Sequence, residues 1–144
     1  MKIHNNLPKY FVVGFFAVAG GLWLAQSNSP PTVAGNQITV KVPHFTAQAA
    51  EGKKAFDSAC AQCHGLNGAG TDKGPPLVHD IYNPGHHADE AFFIATQFGV
   101  RQHHWPFGDM PAQVQVPKEE IVNIVRYVRE LQVANGIVYR EHRM

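Results

Sequence analysis

Cys60-Ala61-Gln62-Cys63-His64 is the stretch on which the reading of this chain turns. Two cysteines three residues apart share one face of a helical turn, and the histidine that follows is turned inward beside them. This is the C-x-x-C-H pattern of haem attachment, in which each thiol forms a thioether with one vinyl group of a single porphyrin and the imidazole takes the iron. Two other uses of a C-x-x-C pair fit less well. Structural zinc needs a second close pair of ligands, and Cys60 and Cys63 are the only cysteines, so histidines alone would have to complete it. A thioredoxin-type redox pair needs a βαβ setting, which the helical pattern around the motif does not offer.

Outward from the motif the periodicity is helical. Between Ala47 and Cys60, the positions Ala49, Gly52, Phe56, Ala59 and Cys60 recur at spacings of three or four, with Thr46 placed to cap the start. A second helix is expected over 89–98, opened by Asp89 and Glu90, given bulk by Phe92, Phe93 and Ile94, and stopped by Gly99. The third pattern is the strongest. Pro117 stands at the first helical position, Glu119 and Glu120 complement the helix dipole, and Ile121, Ile124, Val125, Val128 and Leu131 form one stripe before Gly136. An all-α domain over 46–135 with a tail over 136–144 is expected. Between its helices Gly, Pro and His dominate, and that much irregular backbone needs a large apolar object to wrap around.

A second ligand to the iron is expected from the loop between the last two helices. Met110, in Phe107-Gly108-Asp109-Met110-Pro111, is the only internal methionine, because Met1 and Met144 are terminal. A thioether favours Fe(II) and raises the reduction potential relative to two imidazoles. Of nine histidines only His64 is thereby explained. His79, His86, His87, His103 and His104 crowd the same loop-rich region, and three readings of them stay open. They can be solvated loop residues, His103 or His104 can replace Met110 on the iron, or the two pairs can converge on a second metal, copper or zinc. Arg101, by charge-assisted bonds, and Trp105, by its ring N–H, are the expected neighbours of the haem propionates, although Trp105 reads equally as plain core.

Towards the N-terminus, residues 26–45 contain Ser27, Ser29, Pro30, Pro31, Gly35 and Pro43 and read as an extended linker. Before it, residues 10–25 form an uncharged run, preceded in 1–9 by Lys2 and Lys9. As a helix the run is about 24 Å long, slightly short of a ~30 Å hydrocarbon core. It reads as a transmembrane anchor with its N-terminus inside; the competing reading is a signal peptide cleaved after Ala17-Val18-Ala19. Either one exports the domain to a bacterial-type periplasm or the outer face of the inner membrane. Beyond the run, ten Lys and Arg face eleven Asp and Glu, so no basic patch argues for nucleic acid.

The series Gly52, Phe56, Cys60, Cys63, His64 and Gly65, followed by Gly68, Gly70 and Gly74-Pro75-Pro76-Leu77, resembles class I cytochrome c from about Ala47 to Gln132. The resemblance implies a small all-α domain wrapped around one covalently bound haem c, with Gly52 and Phe56 crossing the last helix near Tyr127. It implies that Pro75 packs by His64, whose imidazole donates a hydrogen bond to a nearby backbone carbonyl. Met110-Pro111 is similar to the family's distal-ligand motif. The implied function is electron transfer between redox protein partners, not catalysis. Two alternatives are a haem-based sensor with a labile distal methionine and an electron-entry subunit of a larger oxidoreductase.

Overall fold

Thr46 opens the first helix in the way its position demands. Its backbone is extended and its hydroxyl accepts from the N–H of Ala49, so one of the unpaired donors of α1 (Ala47–Ala59) is satisfied. The structure, a computed structural model, describes residues 37–141. After α1 come α2 (Ala61–His64), a single turn, then α3 (Asp89–Phe98) and α4 (Lys118–Ala134), with 3₁₀ turns at Leu66–Gly68 and Asp80–Tyr82. Among the described residues there is no strand, only one isolated antiparallel bridge between Val100 and Met110. The apolar run 10–25 lies outside the described residues, and no described helix is long and apolar enough to cross a membrane.

Two helix boundaries differ by one residue from the sequence reading. Pro117 caps α4 from outside, because its ψ of 149° is extended although its φ of −62° would suit a helix. Cys60 likewise caps α1, and its N–H still bonds the carbonyl of Phe56.

The core is the crossing of α1 and α4. Ala49 and Phe56 from α1 meet Ile121, Ile124, Val125, Tyr127, Val128 and Leu131 from α4, all buried. Gly52 lets the two backbones touch: a Cβ there would lie 1.8 Å from the carbonyl oxygen of Asn123. Beside this contact Phe56 and Phe45 tilt against Tyr127, with ring centroids 5.4 and 5.1 Å away.

Polar side chains fasten the periphery. Glu130 takes the Thr46 hydroxyl and N–H and the Arg126 guanidinium, pinning the start of α1 to α4. Asn135 bonds both the N–H and the carbonyl of Lys41. The described part of the segment read as a linker is therefore held along the domain. Beyond α4, Ile137 is buried and the N–H of Arg140 bonds the side chain of Asn83, so the tail also returns to the domain.

Candidate functional site

Residues of α1, α3 and α4 and of the loops that carry Pro75 and Met110 line a cavity of about 510 Å³. Six of the seven residues assigned to haem attachment, ligation or surroundings line it, Cys60, His64, Pro75, Arg101, Trp105 and Met110, and so do His87, His103 and His104. The seventh, Cys63, is exposed and is not part of the lining, although the helical turn of α2 carries it directly before His64. The walls are apolar, with Phe56, Leu77, Phe92 and Ile124 among them. A cavity this large in so small a domain is of the size and character of a cofactor site.

His64 is held from behind. Its Nδ1 lies 2.9 Å from the carbonyl oxygen of Pro75, and a carbonyl only accepts, so Nδ1 donates and the lone pair is left on Nε2. Burial holds the imidazole below the ordinary histidine value, while the Pro75 bond opposes the shift. Cys60 behaves oppositely to a reactive thiol. Burial, and secondarily the neighbouring Cys63, push it up to about 11, so it stays a neutral thiol at neutral pH. A nucleophilic or redox-active cysteine needs the reverse shift.

Met110 stands at the neck of a loop. It exchanges two backbone hydrogen bonds with Val100, each 2.9 Å. Gly99 permits this pairing: it has a φ of +75°, and a Cβ there would come within 2.5 Å of the Met110 carbonyl oxygen. Within the loop, Asp109 accepts from the N–H of Gln102, and the side chain of Gln102 accepts from the N–H of Gly108.

Trp105 lines the cavity with its Nε1 buried and without a hydrogen-bond partner. A buried N–H left unpaired is costly, about 1–3 kcal/mol, which suits a site whose acceptor arrives with the bound group. Arg101 is exposed at the same rim. Together the neutral thiol, the oriented imidazole, the apolar walls and the waiting donor fit a haem with its carboxylates at the rim.

The histidines divide. His79 stands apart, its Nδ1 accepting from the N–H of Ile81 and its ring set edge-on to Trp105. His86, His87 and His104 come together, with one ring nitrogen from each within 4.8 Å of the others. His103 stands beside them, its ring tilted against that of His104 with centroids 4.1 Å apart. His87 and His104 are held below the ordinary histidine value, first by burial and then by the neighbouring imidazoles, with Arg129 adding to the effect at His87.

Two residues near the cavity were not marked by the sequence. Tyr82 lines it, and burial pushes its phenol up to about 12, opposed by the Trp105 N–H, which stands near the phenol but without the geometry of a hydrogen bond. Arg129 reaches out of α4 to Asp89 and to the carbonyls of Tyr82 and His87, and so fastens the segment that carries His86 and His87. No pattern announces Tyr82, and Arg129 sits on an amphipathic helix where a surface cation is the ordinary expectation.

Fold and cavity together define a small all-helical haem-binding domain. The chain matches the family model described as cytochrome c over residues 49–132, more than half its length, and it belongs to the cytochrome c family. That membership makes it a haem c electron-transfer protein with covalently bound cofactor. Neither the curated proteins nor the solved structures compared gave a match.

Proposed function

We propose that the protein carries single electrons between redox proteins by means of one haem, exported and tethered by residues 10–25. In this reading Cys60 and Cys63 form the thioethers, and His64 and Met110 are the axial ligands. The observation that carries it is that His64 and Met110 line one cavity, with His64 already turned by Pro75 so that Nε2 keeps its lone pair.

The haem would supply the Fe(III)/Fe(II) couple, and the chain does the rest. The Pro75 carbonyl makes His64 a stronger donor, and the Val100–Met110 pairing holds the backbone from which the Met110 side chain departs. Phe56, Leu77, Phe92 and Ile124 exclude water, which favours the less charged reduced state.

Absorption spectroscopy tests the ligand set. The oxidised protein is expected to show a Met-to-Fe(III) charge-transfer band that M110A loses, and the reduced wild type to be indifferent to carbon monoxide while reduced M110A binds it. Ready binding by the wild type would favour the sensor reading instead. Mass spectrometry of protein from its own membranes reads the number of haems and whether residues 1–19 are retained.

A further inference from the structure

We propose that His86, His87 and His104 bind one divalent transition-metal ion, Zn(II) or Cu(II), at the rim of the cavity and separately from the iron. The three rings arrive from two places in the chain, a turn after Asn83 and the loop that leads to Met110. One ring nitrogen from each lies within 4.8 Å of the other two. An ion bonded at ~2.0–2.1 Å to tetrahedral imidazole nitrogens holds them about 3.3 Å apart. Nε2 of His86 and Nε2 of His104 already face one another at 3.2 Å, so that pair stands at ligand spacing, and a shift of those two side chains toward the fixed ring of His87 brings in the third.

The surroundings have the form of a support for metal ligands. Nδ1 of His87 donates to the carbonyl of Ile81 at 2.7 Å, which leaves Nε2 as its lone-pair nitrogen and fixes the ring. An imidazole that bonds a metal through one nitrogen ordinarily donates to a carbonyl through the other. The backbone under the pair is held as well: the N–H groups of His86 and His87 both bond the carbonyl of Asn83, and Arg129 grips the carbonyl of His87 at 2.5 Å. His104 is exposed, so an ion can enter from solvent and keep a water as its fourth ligand. Imidazole sets of this kind favour copper and zinc over magnesium or calcium, which take oxygen ligands.

None of these residues is a proposed ligand of the haem iron, and the site does not depend on that assignment. The test uses the haem-loaded full chain, stripped with a chelator and titrated with Zn(II) by calorimetry and with Cu(II) by electron paramagnetic resonance. One equivalent of each is expected, with nitrogen hyperfine structure on the copper signal. H104A, at an exposed position, is expected to weaken Zn(II) binding at least tenfold, and H86A to do the same, while H79A binds as the wild type does. Absence of binding by the wild type, or wild-type affinity in both H104A and H86A, overturns the proposal.

Discussion

Replacing Gly52 with alanine sets two effects of known sign against each other. In an exposed helix the change stabilises by about 1 kcal/mol, because alanine loses less backbone freedom on folding. Here the new Cβ meets the Asn123 carbonyl oxygen at 1.8 Å, its carbon at 2.3 Å and the Ile124 nitrogen at 2.9 Å. All three are backbone atoms of α4, so no side-chain rotation relieves the overlap. Restoring an ordinary contact of 3.4 Å requires α1 and α4 to part by about 1.6 Å, and the part of the core that parts with them holds Phe56 and Tyr127. Overpacking of this kind costs about 1–3 kcal/mol, and lost contacts across the opened crossing add to it. Set against the propensity gain, a net loss of about 2 kcal/mol is expected, which for a domain of roughly 100 residues lowers Tm by about 10 °C. Thermal unfolding of the haem-loaded protein followed by far-ultraviolet circular dichroism measures it. A G52A variant that melts at or above the wild-type temperature refutes the argument, since propensity alone would then be deciding.

Three further outcomes are expected. Gln132 is fully buried, donates to the carbonyls of Leu77 and Tyr82, and accepts from Arg129, so Q132L strands these partners and is expected to cost about 2–3 kcal/mol, read as a lower urea midpoint. Burial alone would raise Glu130, but the Thr46 and Arg126 contacts together hold it below the ordinary carboxylate value. A carboxyl lowered on folding stabilises above its unfolded value and loses that contribution as pH falls through its folded value, so E130Q is expected to flatten the acid limb of the stability profile, measured by denaturant unfolding across that range. W105F removes an N–H that has no partner in the chain. Stability is expected to change by less than about 1 kcal/mol, while the reduction potential falls, because a donor to a carboxylate at the haem rim is gone; voltammetry showing an unchanged potential would count against that role.

The helices were legible because their cues are local. Thr46, Gly99 and the stripe from Ile121 to Leu131 each lie within a turn or two of what they specify, and the structure places α1, α3 and α4 within one residue of expectation. The Gly52 crossing and the Pro75 carbonyl behind His64 were readable only through resemblance, since nothing in periodicity says which residues of two distant helices touch. The histidine pairs were visible as pairs, but not which three rings converge. That depends on Arg129 holding a carbonyl 42 positions away and on the Val100–Met110 bridge closing the other loop. Gln132 was hidden for a related reason: a polar residue beside an apolar stripe reads as solvated until the carbonyls of Leu77 and Tyr82 are found above it.

The bridge between Val100 and Met110 also bears on how the site tolerates disturbance. Residues 101–109 leave and rejoin the domain at the pair of hydrogen bonds between Val100 and Met110, and the sulfur-bearing residue stands at that doorway while His104, which meets His86, lies within the loop. A swing of the outer part, such as one provoked by a docking partner, pivots about the doorway and so shifts the thioether least of all.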